Sequence, residues 1–207
     1  MDKDFTSERY KKAILSYLKN DYTFENMDQH SSEIKNIALV HDVDHDISLC
    51  DTLLSIEREM KVTATYFLRL HAINYNMLSR KSLAMVEKII DAGCNIALHY
   101  EPSFCPTGLE YLDHIEMEMD VLSTVINKKV KYFNLHEPSR TGVNLSQVNP
   151  VSNRCYNSSH FEDYKYLSDS SCNWREGCFS KHVNKWNKLL VLTHPIWWYK
   201  DCPSENY

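Results

Sequence analysis

The sequence contains little glycine. Only four occur among its 207 residues, against the roughly 7% that is average for proteins. None of them forms the glycine-rich loops that hold nucleotide phosphates in G-x-G-x-x-G or P-loop proteins. The seven cysteines are scattered and never spaced C-x-x-C, so neither a disulfide framework nor a four-cysteine zinc site is expected. We expect reduced thiols, as in a cytoplasmic protein.

Basic charge and long apolar runs are also scarce. The 28 acidic residues outnumber the 23 basic ones, and no basic run stands out, so neither nucleic acid nor an anionic membrane is an expected partner. No stretch approaches the ~18 uninterrupted apolar residues of a membrane span, and the first residues, "MDKDFTSERYKK", lack the apolar core of a signal peptide. We expect a cytoplasmic protein without a membrane span, and no pattern indicates its oligomeric state.

Helical and strand patterns alternate along the chain. Apolar residues recur at helical spacing over 8–19 and 109–126, and residues 47–60 and 78–92 are also predicted to be helical. Gly93 is expected to end one helix, and a capping box of Thr107 and Glu110 to begin another. Short apolar runs lie between the helices: "IALVHDVD", "VTATYFL", "NIALHY", "VKYFNLH" and "KLLVLTH". This order predicts one α/β domain over 1–207 with a parallel sheet, open or closed into a barrel.

Ionisable residues stand at the ends of four predicted strands: Asp42 and Asp44, His99, His136 and His194. Ligands of parallel α/β folds bind at the carboxyl ends of the strands, so we expect these side chains to share one cavity. Asp42 and Asp44 are two residues apart and face one side, whereas His41 and Val43 face the other. Aspartate and histidine around a cavity suit a divalent metal such as zinc, with a further carboxylate as the base. The pattern predicts metal-assisted hydrolysis.

Six motifs, in this order, resemble the polysaccharide deacetylase (NodB-homology) family: "HDVD", "VTATYFL", "NIALHYEPS", "FNLHEPS", "YLSDSSCNWREG" and "LVLTHPIWW". The sequence is especially similar to a deacetylase-like branch associated with surface-polysaccharide synthesis. The similarity covers residues 36–199, and its most specific parts are "HDVD" and "LTHPIWW". The resemblance implies a distorted (β/α) barrel that removes N- or O-linked acetyl groups from a sugar or polysaccharide precursor with a divalent metal, usually zinc.

The resemblance also implies roles for individual residues. Asp42 corresponds to the catalytic base and His194 to the catalytic acid. Asp44 and His99 correspond to metal ligands. Residues that line the substrate groove and orient the catalytic pair are expected at three further positions, Asp169, Trp174 and Arg175.

The sequence departs from the family pattern at two places. Four residues after His99, where a second metal-binding histidine is usual, stands Ser103. The family's arginine-proline motif is replaced by His136-Glu137-Pro138. His136 ends the neighbouring predicted strand, so we expect it to supply the third metal ligand. The alternative is a degraded metal site.

Three functions stay open at this point. The first is a metal-dependent sugar deacetylase, and the second is a pseudo-deacetylase that binds carbohydrate or a partner without turnover. The third is a metal-dependent phosphohydrolase, because Asp-x-Asp at a strand end also resembles haloacid dehalogenase-type enzymes. Their Gly-Thr after the second aspartate is absent here, and the three histidines would have no task.

Two local interpretations also stay open. Asp44 and Asp46 precede a predicted helix, where negative charge is favourable. Trp197 and Trp198 are explained equally well by packing and by a sugar-binding platform.

Overall fold

A parallel β-sheet curled into a half-barrel forms the centre of the molecule. The computed structural model describes residues 5–28, 33–143 and 161–206. These ranges contain seven strands: β1 (Thr23–Glu25), β2 (Asn36–Val43), β3 (Thr65–Leu68), β4 (Asn95–Tyr100), β5 (Phe133–Leu135), β6 (Lys165–Ser168) and β7 (Lys188–Thr193). The order in the sheet is β5-β4-β3-β2-β7-β6, and β1 pairs with the first residues of β2. Within the described residues, β5 and β6 are therefore the sheet edges.

The described residues form five α-helices: α1 (Ser7–Leu18), α2 (Cys50–Met60), α3 (Arg80–Asp91), α4 (Tyr111–Ile126) and α5 (Pro138–Thr141). The first four confirm the helices predicted from apolar spacing. Gly93 follows α3 with a φ of 79°, and its N–H donates to the carbonyl of Ile90, as predicted for a helix end. In this part of the chain, no helix combines the length and apolarity that a membrane crossing requires.

The predicted capping box is wrong. Glu110 is itself the N-cap residue of α4, with extended backbone and no side-chain capping bond. The residue after Thr107 is Gly108, whose φ of 87° is incompatible with a helical turn. The helix therefore begins at Tyr111, one turn later than the motif predicts.

Alternate residues of the four central strands, β2, β3, β4 and β7, divide between two apolar clusters. The outer cluster fills the space between the sheet and the helices, and its strand members include Ile37, Leu39, Leu98 and Val191. The inner cluster fills the concave side of the sheet and includes Ala38, Val40, Phe67, Ala97, Leu190 and Leu192. Beyond this inner cluster, toward the carboxyl end of the sheet, the inward positions are polar. The concave side of the sheet therefore forms a cavity. Apolar side chains lie at its floor, and ionisable side chains line its mouth at the carboxyl end of the strands.

Strand prediction succeeded where the apolar run was long. The five predicted strands correspond to β2, β3, β4, β5 and β7. The strands β1 and β6 contain three and four residues and were not predicted. Their residues, "TFE" and "KYLS", form no continuous apolar run, whereas the equally short β3 and β5 lie within the apolar runs "VTATYFL" and "VKYFNLH".

A buried polar cluster joins β2 to α2 on the outer side of the sheet. Glu57 of α2 is fully buried, and its Oε1 accepts a hydrogen bond from the Tyr10 hydroxyl at 2.6 Å and lies 2.9 Å from His41 Nε2. Its Oε2 accepts from the Tyr66 hydroxyl at 2.7 Å, and His41 Nδ1 lies 2.6 Å from Thr193 Oγ1. Burial alone would raise the pKa of Glu57, but His41 and the hydroxyls lower it. The Glu57 carboxylate can be buried in the core because His41 and the two tyrosine hydroxyls pair with both of its oxygens.

We expect Tyr66→Phe to lower the free energy of unfolding by about 1–3 kcal/mol, because Glu57 Oε2 then stays buried without its hydrogen bond. Urea unfolding measures the change. The pKa of Glu57 is lowered on folding, so the difference holds above its ordinary value of 4.5 and declines as the pH falls below it. Tyr111→Phe is the control, since its hydroxyl makes no hydrogen bond with the described residues. Equal stability of Tyr66→Phe and wild type would contradict the assignment.

Candidate active site

A cavity of about 580 Å³ opens at the carboxyl ends of the strands. The structure brings all five strand-end residues to its lining: Asp42, Asp44, His99, His136 and His194. They come from β2 or the residue after it, from β4, and from the positions that follow β5 and β7. The cavity therefore collects ionisable side chains from four strands that are distant in sequence.

Three potential ligand atoms face one another in this cavity. Asp44 Oδ1 lies 3.2 Å from His99 Nε2 and 3.2 Å from His136 Nδ1, and the two nitrogens are 3.1 Å apart. Asp44 Oδ1 is buried and accepts no well-oriented hydrogen bond from the described residues. Nitrogen and oxygen ligands of tetrahedral zinc lie roughly 2.0–2.2 Å from the ion, and hence about 3.3 Å from one another. The triangle has the size and the donor chemistry of three corners of such a site.

Ser103 does not belong to this triangle. It lies on the short turn Pro102–Phe104 after β4, is exposed, and is not among the residues that line the cavity. His136, from the end of the neighbouring strand, occupies the third corner instead. Asp44, His99 and His136 thus form a set of three potential ligands, although no second histidine follows His99 at position 103.

Opposite charges stabilise one another within the triangle. Burial alone would raise the pKa of Asp44, but the imidazoles of His136 and His99 hold it well below its usual range. Burial alone would lower the pKa of His99, but Asp42 and Asp44 raise it. Arg69, which directly follows β3, fixes the backbone here by donating to the Asp44 carbonyl at 3.1 Å. Sequence reasoning did not single out Arg69.

Asn134 links two of the predicted functional residues, and it was also missed. Its Nδ2 donates to Asp42 Oδ1 at 2.7 Å, and its Oδ1 is hydrogen-bonded to His99 Nδ1. Asn134 stands two residues before His136, so the period of a strand places both side chains on the same face. That spacing was the signal that could have identified it.

His194 is held from behind by Asp169. Its Nδ1 lies 2.6 Å from Asp169 Oδ1, and its backbone N–H donates to Asp169 Oδ2 at 3.1 Å. Its Nε2 is left on the cavity side, 3.7 Å from Asp44 Oδ2. Burial alone would lower the pKa of His194, but Asp169, with Asp42 and Asp44, raises it to about 9. The imidazole therefore carries its proton at neutral pH in this arrangement.

The three residues expected to line the substrate groove occupy different environments. Asp169 is fully buried behind His194, in a position to orient that histidine, as expected for one residue of this group. Trp174 is 8% exposed, packs against Phe179, and lines a smaller adjoining cavity. Arg175 is exposed and lines both cavities. Of the three, Arg175 lines the larger cavity, and substrate contact by any of them stays a prediction.

The structure bears on the two local interpretations left open, the role of Trp197 and Trp198 and the role of Asp46. Trp198 is fully buried, packs against Tyr10, and donates its Nε1 hydrogen to Asp169 Oδ2 at 3.0 Å. Trp197 is partly buried and lines the larger cavity, so both interpretations stay open for it. Asp46 accepts from the Ser48 N–H at 2.8 Å, so it serves the helix start rather than the cavity.

Solved structures provide the comparison for this geometry. No model of a known protein family matches the chain, and no curated protein matches it. Peptidoglycan deacetylase PdaC from Bacillus subtilis has a TM-score of 0.54 at 14% identity, over 81% of this chain and 78% of that one. The Xyl-CE4 domain of a multidomain xylanase from the hindgut metagenome of Trinervitermes trinervoides has a TM-score of 0.53 at 16% identity, over 84% and 78%. This chain has the CE4 deacetylase fold.

A third similar structure differs from these two in function. It is a CE4 family pseudoenzyme from Bacillus anthracis, with a TM-score of 0.52 at 17% identity over 80% of this chain. The chain spans 56% of the length of that pseudoenzyme. The CE4 fold confirms the predicted NodB-type (β/α) barrel, in the form of a curled half-barrel. It is shared by deacetylases and by a pseudoenzyme, so the site residues must carry any argument about activity.

We expect Asp169→Asn to lower the pKa of His194 from about 9 toward its ordinary value of 6.5, because the carboxylate that raises it most is removed while burial still lowers it. NMR titration of the His194 ring in chelator-treated protein measures it. The pKa is raised on folding, so the contribution of His194 to stability is full below pH 6.5 and is lost as the pH rises through about 9. Asp51→Asn, on an exposed pair with Lys88, is the control. An unchanged pKa would remove Asp169 as its cause.

Proposed function

We propose that this chain is a metal-dependent hydrolase that removes an N- or O-linked acetyl group from a sugar or surface-polysaccharide precursor. The observation that carries the proposal is the triangle of Asp44, His99 and His136, with Asp42 and His194 beside it in one cavity. These three residues would hold a divalent cation, and zinc suits their ligand set best. When bound, the cation would polarise the acetyl carbonyl and make the attacking water more acidic.

Asp42 and His194 are suited to opposite proton transfers. Asp42 has Oδ1 engaged by Asn134, which leaves Oδ2 to accept a proton from the attacking water. His194 has Nδ1 engaged by Asp169, so its Nε2 hydrogen faces the cavity and can protonate the leaving amine or alkoxide. A pKa of about 9 keeps that proton in place at neutral pH. The site thus pairs a base and an acid, as acetyl hydrolysis requires.

Two cavity residues are suited to holding the sugar. The partly buried ring of Trp197 lies 6.5 Å, between ring centres, from the His194 imidazole. A sugar ring stacked there would bring its acetyl group near the proposed acid. Arg175, at the boundary with the smaller cavity, can donate hydrogen bonds to substrate oxygens.

A pseudo-deacetylase is the second candidate function. Ser103 stands where the family's second metal-binding histidine is usual, and a CE4 pseudoenzyme has a similar fold. Such a protein would keep the cavity and bind carbohydrate without turnover. No described feature favours the phosphohydrolase, because it would leave the three cavity imidazoles without a task.

Metal content separates the first two candidates. We expect purified wild-type protein to hold about one equivalent of zinc, and His136→Ala to lose most of it because two protein ligands rarely retain the ion. Elemental analysis after dialysis measures it. The matched control is His45→Ala, since His45 lines the same cavity outside the triangle. Unchanged zinc in His136→Ala would exclude His136 as an essential ligand, and a folded wild type without zinc would favour the pseudo-deacetylase.

Turnover tests the base and the acid. We expect Asp42→Asn and His194→Ala to keep zinc and to lose a factor of ~10²–10⁴ in kcat, the usual contribution of general acid-base groups. Acetate release from an acetylated oligosaccharide measures the loss. Asp46→Asn is the control, because Asp46 bonds to Ser48 and Lys81 outside the cavity. Loss of zinc with activity in Asp42→Asn would mean that Asp42 and Asp44 have exchanged roles.

A further inference from the structure

Asn134 makes two hydrogen bonds at the centre of the site. It is fully buried on β5 and stands directly opposite His99 in the pairing of β4 with β5. One end of its amide contacts Asp42 Oδ1 at 2.7 Å, and the other contacts His99 Nδ1. A single side chain therefore touches both the proposed base and a proposed metal ligand.

The direction of these bonds follows from donor and acceptor chemistry. An ionised Asp42 can only accept, so the NH₂ group of Asn134 must face it. The amide oxygen then faces His99 and can only accept, so His99 Nδ1 must carry a hydrogen. A neutral imidazole has one N–H, and the lone pair is therefore on Nε2. That atom is the one that lies 3.2 Å from Asp44 Oδ1 and 3.1 Å from His136 Nδ1.

We propose that Asn134 is a positioning residue that sets His99 in its metal-binding tautomer and, with the same amide, turns the free oxygen of Asp42 toward the cavity. The Asp42 half rests on the proposed function, whereas the His99 half concerns ring chemistry alone. The hydrogen-bond partner of a ligating histidine usually contributes to metal affinity in this way. Here that partner also holds the base, so one residue couples the two tasks.

Two substitutions separate the tasks. Asn134→Leu keeps the same branched pattern of four side-chain heavy atoms and removes both hydrogen bonds. Asn134→Asp keeps an acceptor for His99 Nδ1 but places a carboxyl group against Asp42. We expect the leucine variant to lose metal affinity by ~10–100-fold, and the aspartate variant to stay within a few-fold of wild type. Both should lose acetate release, because neither presents Asp42 correctly.

The control is Asn95→Leu. Asn95 is another buried asparagine, bonded to Asn26 at the opposite end of β4. Its replacement removes a buried amide of the same kind without touching the site. We expect it to lower stability while leaving metal affinity and the His99 tautomer unchanged.

The experiment has two readouts that do not depend on turnover. Competition with a chromogenic chelator gives the zinc affinity of each variant, and ¹⁵N NMR of chelator-treated protein, at a pH where the ring is neutral, gives the His99 tautomer. We expect Nδ1–H in wild type and Asn134→Asp, and a mixture in Asn134→Leu. The proposal is overturned if the leucine variant keeps both the tautomer and the affinity, or if Asn95→Leu loses affinity equally.

Failure of the proposed function would look different. In that case wild type releases no acetate, yet the His99 tautomer still responds to Asn134→Leu and not to Asn95→Leu. If wild type binds no zinc, the tautomer alone decides the role of Asn134.

Discussion

An oxygen and two imidazole nitrogens that face one another within about 3.2 Å repel unless positive charge lies between them. This constraint organises the site around Asp44, His99 and His136. All three residues stand at or just after strand ends, where the pairing of the sheet fixes the backbone.

Three of the groups that face the cavity, His99, Asp42 and His194, are engaged on their opposite sides. Asn134 occupies Nδ1 of His99 and Oδ1 of Asp42, and Asp169 occupies Nδ1 of His194. In every case one polar atom is bound within the protein and the other is directed inward. Reactive atoms are thus preorganised by the hydrogen bonds behind them, which is the most effective use of buried polar contacts near a reaction centre.

Periodicity predicted the main strands and the four long helices, because apolar residues recur along each of them. The five ionisable residues at the cavity mouth then followed from their positions at the ends of the predicted strands. The contacts of Asn134 and Arg69 were missed, since they join residues 92 and 25 positions apart with no repeating pattern. The same limit applies to Asp169, whose burial depends on Trp198 and His194 closing around it. The capping box at Thr107 was wrong because one glycine conformation overrode a local motif.

Adjacent residues of β2 carry ionisable groups on opposite faces, Asp42 toward the cavity and His41 toward Glu57. A slip of one position during folding would exchange these faces. It would place the Asp42 carboxylate against the buried Glu57 carboxylate. It would also place the His41 imidazole among the apolar side chains of the inner cluster. A mispaired sheet would therefore be destabilised by repulsion between two carboxylates that are buried away from water. His41 and Asp42 thus favour the correct register of β2 as well as supplying a cavity residue.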